Sequence, residues 1–275
     1  MKKDLNTGIK STWCPGCNNF MVLAGLKNAV TKELENSDKE VAIVTGIGCH
    51  AKIFDYINLN GINTLHGRVL PTCLGVKAGN PNLKVIGFSG DGDAYAEGIE
   101  HLIHAARYNA DVKYVVMNNQ IFALTVGQPT PTTRRGFKTK TVPEGVKVPP
   151  LNPIKLMLAS GASFVARVPS DVKQIELVLE EAFKHKGFAF IEIMQPCLIF
   201  NNVNMKENMY LLSEEGHDKG NMESAMKKAE EFDYDSVERI PVGIFYQEER
   251  EVFEDKFRQL KDLKDKNISW KDIER

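Results

Sequence analysis

The stretch 88-FSGDGDAYAEGIEHLIHAARYNADVKYVVMNNQIF-122 decides the fold. It predicts the end of a strand, a glycine-rich acidic turn, an amphipathic helix, a second apolar strand and a turn with paired asparagines. A strand, a helix and a second strand form a βαβ unit, in which both strands run in the same direction. The two polar turns are therefore expected to lie close together.

Carboxylate and amide oxygens in these turns suit a magnesium ion clamped to a diphosphate. Asp91 follows the first strand, where open α/β sheets place their ligands. Gly90 and Gly92 let the backbone approach a phosphate, and the helix that begins near Ala94 directs its positive end there. Asp91, the Asn119 amide and one carbonyl beyond it would supply three of the six oxygens that Mg²⁺ prefers.

Each turn alone is more often a simple surface turn, but the pair is far more specific. Both follow a predicted strand, and a helix separates them. A calcium loop that starts at Asp91 is excluded, because Ala96 and Leu102 stand where Gly and Glu are required.

The rest of the chain continues the alternation of strands and helices. It predicts an α/β fold with a mostly parallel sheet and helices on both faces. After Phe200 the apolar strands stop and the sequence becomes rich in charge. We expect one domain over residues 1–200 and a peripheral, helical, charged C-terminal extension over 201–275. Residues 14–35 are predicted to open with a turn and run into a helix. The predicted strands are 41–45, 84–88, 112–119, 163–168 and 188–194, and the other predicted helices are 71–80, 94–109, 153–160, 171–185, 222–232 and 247–264.

Composition narrows the class of protein. The 275 residues carry a net charge of −1, so bulk charge gives no case for binding nucleic acid or an anionic membrane. No apolar run approaches the roughly 18 residues that span a bilayer, and the N-terminus has no apolar signal core. A cytoplasmic protein is expected. Residues 201–275 carry 19 acidic and 13 basic side chains, an imbalance that could matter for docking of a partner.

Five cysteines need a reason other than disulfides in the cytosol. A CxxC motif precedes the first helix, a third cysteine lies 32 residues further, and a fourth another 148. Four thiolates can hold an iron–sulfur cluster or a zinc ion, and CPGC alone could be a dithiol redox motif. Spacing alone does not decide among a cluster, a zinc site and unrelated thiols. The four cysteines are Cys14, Cys17, Cys49 and Cys197.

Seven motifs, in order, make the sequence resemble the β subunit of 2-oxoacid:ferredoxin oxidoreductases. The resemblance implies a thiamine diphosphate-binding fold that carries a 4Fe–4S cluster, in an active site that a partner chain completes. Cys73 matches no cluster position and is expected to be a buried helix cysteine. The motifs are 13-WCPGC-17, 46-GIGC-49, 65-LHGR-68, 90-GDGD-93, 118-NNQIFALTVGQPTPTT-133, 164-FVAR-167 and 196-PC-197.

The resemblance also implies roles for individual residues. Asp91 and Asn119 would bind Mg²⁺ by their side chains and Ile121 by its carbonyl, while the four cysteines above would hold the cluster. His66 would contact the diphosphate of thiamine diphosphate. Met117, Phe122 and Phe20 are expected in the core and not in the site. The remaining residues implied to line the cofactor are Ile47, Gly48, Cys49, His50, Gly92, Asp93, Ala123 and Leu124.

The implied reaction is oxidative decarboxylation of a 2-oxoacid to acyl-CoA and CO₂, or the reverse carboxylation. Electrons pass through the cluster to ferredoxin, and coenzyme A takes the acyl group. No catalytic residue is expected in this chain, because the family's aminopyrimidine glutamate comes from the α subunit; γ and δ subunits are further partners in such assemblies. The alternatives are a cluster-free thiamine decarboxylase or synthase, a zinc-stabilised non-catalytic subunit, and a stand-alone electron carrier.

Two features leave the substrate open. Val126 is implied to face the substrate's side chain, at a position where the family often has Gly or Lys. An apolar side chain there weakens the case for recognition of a distal carboxylate by this subunit. The basic loop, residues 134–147, could bind coenzyme A phosphates or an acidic ferredoxin, although a subunit interface is favoured.

Overall fold

The computed structural model describes residues 4–272. Within them the strands are β1 (Val41–Thr45), β2 (Asn60–Asn63), β3 (Lys84–Gly90), β4 (Val112–Asn118), β5 (Ile121–Phe122), β6 (Gln128–Pro129), β7 (Phe164–Pro169), β8 (Ala189–Met194), β9 (Met209–Leu211) and β10 (Ile240–Gln247). The α-helices are α1 (Asn19–Asn36), α2 (Ile53–Tyr56), α3 (Val69–Gly79), α4 (Ile99–Tyr108), α5 (Pro153–Ala159), α6 (Val172–Lys184), α7 (Met222–Glu230) and α8 (Arg258–Asp265).

The central sheet has eight strands in the order β2–β1–β3–β4–β8–β7–β10–β9. The six strands from β2 to β7 pair in parallel, while β10 runs antiparallel to β7. The predicted mostly parallel sheet is confirmed. Because β1, β3, β4 and β8 are neighbours and parallel, the turns that follow them meet at one end of the sheet.

Helices cover both faces of the sheet, as predicted. Helices α1 and α6 pack on one face, and α3, α4, α5 and α7 pack on the other. Along β4, Val115 and Met117 join the first core while Tyr114 and Val116 join the second, as the two-residue period of a strand requires. Cys73 is fully buried in α3, which confirms it as a helix cysteine.

The predicted helix 94–109 is interrupted at its start. A single π-helical turn covers Asp93–Glu97, Gly98 breaks it, and α4 follows from Ile99. Turns of this kind often accompany functional sites because they change the direction of the side chains beside them. The α4 helix ends at Asn109 in a left-handed conformation with φ of 55°.

The prediction that strands stop after Phe200 is wrong. Strand β10 belongs to the central sheet, and the nearby Phe232 and Tyr234 are fully buried. Pro241, Gly243 at φ of 120° and a bulge between Ile244 and Tyr246 break the alternation that marks a strand in sequence. The extension is therefore neither wholly helical nor wholly peripheral, and a domain boundary at residue 200 stays a prediction.

Of the two helices predicted in the extension, one forms as predicted and the other forms only in part. Helix α7 confirms the segment 222–232, whereas 247–264 contains a short 3₁₀ turn and only part of α8. Over residues 4–272, none of the helices combines the length and apolar character of a membrane span.

Candidate active site

A cleft opens at the carboxyl ends of β1, β3, β4 and β8. The turns after the first three strands form most of it, and Gln195 after β8 completes it. All the residues proposed to bind thiamine diphosphate or Mg²⁺ line this cleft. They are Ile47, Gly48, Cys49, His50, His66, Asp91, Gly92, Asp93, Asn119, Ile121, Ala123 and Leu124.

Asp91 is buried at the base of the cleft. Its carboxylate accepts hydrogen bonds from Thr132 Oγ1 at 3.1 Å and from the Asn119 N–H at 3.4 Å. Burial raises the pKa of Asp91 from 3.8 to about 6, although these hydrogen bonds oppose the rise. A buried carboxylate with few donors around it is suited to a cation, which would favour its ionised form.

The turn after β4 holds Asn119 toward the same cleft. Asn119 Oδ1 accepts a hydrogen bond from the Ile121 N–H at 3.0 Å. Between them, Gln120 adopts a left-handed backbone with φ of 59°. Asn118 Oδ1 accepts from the Gln120 N–H at 3.0 Å, and the Thr133 hydroxyl donates to the Gln120 carbonyl at 2.6 Å, so the strained conformation is held from two sides.

Asp93 also lines the cleft and contacts several polar groups there. It accepts a hydrogen bond from the Gly67 N–H at 2.6 Å, and its two oxygens lie 3.3 Å from His50 Nε2 and 3.4 Å from His66 Nδ1. Burial acts to raise the pKa of Asp93, but His50 and the Gly67 N–H outweigh it and the pKa is lowered. An ionised Asp93 thus orients both histidines.

The cleft offers polar atoms and bare backbone to a ligand. His50 Nε2, His66 Nδ1 and Asp93 Oδ2 are buried without an aligned hydrogen bond. A Cβ at Gly92 would lie 2.1 Å from the Phe122 ring, so only glycine allows this close approach. Unpaired polar atoms beside a glycine turn fit a diphosphate with its magnesium ion.

A second group of residues lies beside the cleft. Trp13 Nε1 donates to the Cys49 carbonyl at 2.7 Å, and Asn19 Nδ2 donates to the same carbonyl at 3.2 Å. Asn18 Nδ2 donates to the Pro196 carbonyl at 3.3 Å. These bonds join the CxxC segment to the turns after β1 and β8. These segments carry the four predicted cluster residues: Cys14, Cys17, Cys49 and Cys197.

The pKa values of two of these thiols reflect their neighbours. Burial raises the pKa of Cys17 and of Cys49; Cys14 and Cys197 raise both further, and Cys17 also raises that of Cys49. Thiols close enough to influence one another are a suitable donor set for a cluster with several iron atoms. Over residues 4–272, no three His, Cys, Asp or Glu side chains converge on a point where one metal ion would fit.

The predictions for three apolar residues need revision. Met117 is buried as predicted yet also lines the cleft, Phe122 lines it against Gly92, and Phe20 is exposed.

Val126 lies outside the cleft lining, is exposed, and has φ of 75°. Positive φ is costly for a β-branched residue, which explains why glycine suits this position.

Sequence reasoning missed a buried polar network behind the cleft. Glu192 on β8 accepts from Arg167 Nε at 2.9 Å and from Asn118 Nδ2 at 2.8 Å. Its carboxylate also accepts from the hydroxyls of Tyr234 at 2.5 Å and Tyr95 at 3.3 Å. A charge in each of two otherwise apolar strands, FVARVP and AFIEIM, is the signal that marks Arg167 and Glu192 as buried polar residues, although it does not show that they are partners.

Some residues of the basic loop, 134–147, form ion pairs, and others are exposed. Arg135 pairs with Asp235 at 2.5 Å and Lys147 with Glu144 at 3.0 Å, while Lys138 and Lys140 are exposed. Its role in docking stays a prediction.

The fold and cleft define a thiamine diphosphate-binding enzyme domain. Residues 46–193 match the family described as "Thiamine pyrophosphate enzyme, C-terminal TPP binding domain". Residues 197–262 match the family described as the C-terminal part of the pyruvate ferredoxin oxidoreductase beta chain.

Relatives define the family more narrowly. The 2-oxoacid:ferredoxin oxidoreductase subunit beta of Saccharolobus solfataricus is 41% identical over 254 residues, which cover 86% of this chain and 82% of the relative. The 2-oxoglutarate synthase subunit KorB of Archaeoglobus fulgidus is 36% identical over 254 residues, which cover 92% of this chain and 91% of the relative. The chain therefore belongs to the β subunits of 2-oxoacid:ferredoxin oxidoreductases, and a β subunit implies an α partner.

A solved structure agrees over the whole fold. A 2-oxoglutarate:ferredoxin oxidoreductase from Magnetococcus marinus, with 2-oxoglutarate, coenzyme A and succinyl-CoA bound, matches with a TM-score of 0.86 and 30% sequence identity. The match covers 98% of this chain and 91% of that one.

Proposed function

We propose that this chain, together with an α subunit, oxidises a 2-oxoacid to acyl-CoA and CO₂, or catalyses the reverse carboxylation. Each turnover takes coenzyme A and passes two electrons, one at a time, to oxidised ferredoxin. The observation that supports the proposal is the meeting of Asp91, Asn119 and Cys49 in one cleft at the ends of adjacent strands, with Cys49 within the electrostatic influence of the other three cysteines. Thiamine diphosphate, when bound, supplies the electron sink for loss of CO₂.

The chain's own residues have separate tasks in this proposal. Asp91, Asn119 and the Ile121 carbonyl would hold Mg²⁺ together with the diphosphate. Asp93 fixes His50 and, through Oδ1, His66 beside the diphosphate. The backbone and apolar side chains at Ile47, Gly48, Gly92, Ala123 and Leu124 shape the cofactor's surroundings.

The electron outlet lies next to the cofactor. Cys49 both lines the cleft and belongs to the cysteine group, so a cluster held there would be adjacent to the thiamine site. Cys14, Cys17 and Cys197 would complete its ligands. Close spacing suits electron transfer from the cofactor to a 4Fe–4S cluster and then to ferredoxin.

The proton chemistry requires the partner. The carboxylates that line the cleft within the described chain are Asp91 and Asp93, and both already have other tasks. A glutamate from the α subunit would serve the aminopyrimidine. Exposed apolar residues near the cleft, Ile47, Leu65, Leu124 and Val126, support a covering partner there.

The substrate can be identified by assay. The complex of this chain with its α subunit would be assayed anaerobically for coenzyme A-dependent ferredoxin reduction with 2-oxoglutarate, pyruvate and branched 2-oxoacids. Activity with at least one of them is expected. Turnover at a normal rate by this chain alone, without the α subunit, would overturn the proposed division of labour.

A further inference from the structure

Asn201 connects the proposed metal turn to the segment that carries Cys197. Its side chain is buried, and its Nδ2 donates to the Asn119 carbonyl at 3.0 Å. Its own N–H donates to the Cys197 carbonyl at 3.0 Å, closing a tight loop from Cys197 to Asn201. One residue therefore contacts both a proposed Mg²⁺ ligand and a proposed cluster ligand.

The same two segments also meet on the other side of Cys197. The Gln195 N–H donates to the Asn118 carbonyl at 2.9 Å. The segment 195–201 is thus anchored to two successive carbonyls of the metal turn, one on each side of the cysteine. Cys197 cannot shift without disturbing these bonds, and the turn cannot relax without moving the cysteine segment.

Asn201 adds a third contact to this turn, beside the bonds that Gln120 makes with Asn118 and Thr133. The peptide between Asn119 and Gln120 precedes the left-handed backbone of Gln120, a conformation that is unfavourable for a residue other than glycine. Asn201 holds the carbonyl of this peptide in place. Without that bond, the Asn119 carbonyl would lose its donor, and the Asn119 residue, whose backbone N–H donates to Asp91, would be less firmly held.

We propose that Asn201 is a positioning residue that couples the metal turn of the thiamine site to the cluster ligand Cys197. The inference rests on the proposed function, since it requires both groups to be bound here. Coupling between two sites is reciprocal in binding free energy, so disturbing Asn201 should affect both.

The test uses the complex with the α subunit, purified anaerobically. Asn201→Ala removes the side-chain donor, and Asn201→Asp replaces it with an acceptor of the same size. The exposed neighbour gives a matched control, Asn202→Ala. Two quantities are measured: the apparent affinity for Mg²⁺ at saturating thiamine diphosphate, from thermal stabilisation, and the electron paramagnetic resonance g values of the reduced cluster.

Both Asn201 variants should weaken Mg²⁺ binding about fivefold, the factor for one buried hydrogen bond, and should also change the g values. Asn202→Ala should change neither. The inference is overturned if either quantity stays at its wild-type value in the Asn201 variants, or if Asn202→Ala changes them equally. If the wild-type complex shows no Mg²⁺-dependent stabilisation or no cluster signal, the proposed function itself fails.

Discussion

At the scale of single residues, burial and the proposed ligand have opposite effects on the protonation of Asp91. Burial favours the protonated carboxyl group, whereas Mg²⁺ favours the ionised one. Burial raises its pKa to about 6, so near that pH a proton competes with Mg²⁺ for the carboxylate. In the cofactor-free chain, the raised pKa makes Asp91 contribute stability that is complete below about pH 3.8 and lost as pH rises through about 6.

The first prediction concerns pH. Apparent affinity for Mg²⁺ should be constant above pH 7 and fall by up to about tenfold for each pH unit below 6, because one proton must leave before the ion binds. Thermal stabilisation by Mg²⁺ and thiamine diphosphate, measured between pH 5 and 8, checks this. Asp91→Asn should bind weakly at every pH; an affinity that does not change with pH in the wild-type chain contradicts the assignment.

The second prediction concerns the buried pair of Glu192 and Arg167. Both side chains are fully buried, so Glu192→Gln leaves the Arg167 charge without its carboxylate and should lower the free energy of unfolding by about 3 kcal/mol. Glu230→Gln, which breaks the exposed pair with Lys155, should cost at most about 1 kcal/mol. Denaturant titration compares the two, and equal losses would show that the buried pair contributes no more than a surface one.

These residues show what a single sequence reveals and what it conceals. Asp91 and Asn119 could be located because each lies in a turn directly after an apolar strand, which is local information. The hydrogen-bonded network around Glu192 could not be predicted, because it depends on β8 lying between β4 and β7. Its other members are Arg167, Asn118 and Tyr234. Nothing in the local pattern states which strands become neighbours.

At the scale of elements, β4 could be predicted from its local sequence, whereas β10 could not. Strand β4 is mostly apolar and buried along its whole length, and the sequence predicts it almost to its ends. Strand β10 contains a proline, a glycine and a bulge, and its alternation is lost even though Phe245 is fully buried. Its identity as a strand comes from pairing with β7, a contact between residues far apart in sequence.

The third prediction tests whether β10 belongs to the core. Phe245→Ala should destabilise the chain by about 3–5 kcal/mol, because it leaves a cavity against the second core. Phe257→Ala is the matched control, since that ring is 46% exposed, and it should cost about 1 kcal/mol or less. Thermal unfolding of both variants measures the two losses of stability. A loss for Phe245→Ala no greater than that for Phe257→Ala would show that β10 is peripheral.

At the scale of the whole molecule, we propose that the cleft is one half of an active site. It presents ligands for a cofactor at its base and exposed apolar residues near its mouth. A surface of this kind is expected to be covered when the partner binds. The chain's role in catalysis thus depends on an assembly larger than itself.

The fourth prediction concerns that surface. Leu65 is 74% exposed and precedes His66 of the cleft, so Leu65→Glu should weaken association with the α subunit at least about tenfold through burial of an unpaired charge. Leu177→Glu, on α6 at 45% exposure, should associate normally. Size-exclusion chromatography and titration of the complex compare them; equal association by both variants would place the partner on another face.

The most direct test of a thiamine site beside an electron outlet is reduction of the cluster by substrate. In the anaerobic complex with the α subunit, a 2-oxoacid should bleach the visible absorption of the iron–sulfur cluster, and only when Mg²⁺ and thiamine diphosphate are present. Asp91→Ala should retain the absorption but lose the bleaching. Undiminished bleaching in Asp91→Ala, or a wild-type complex without that absorption, would contradict the account.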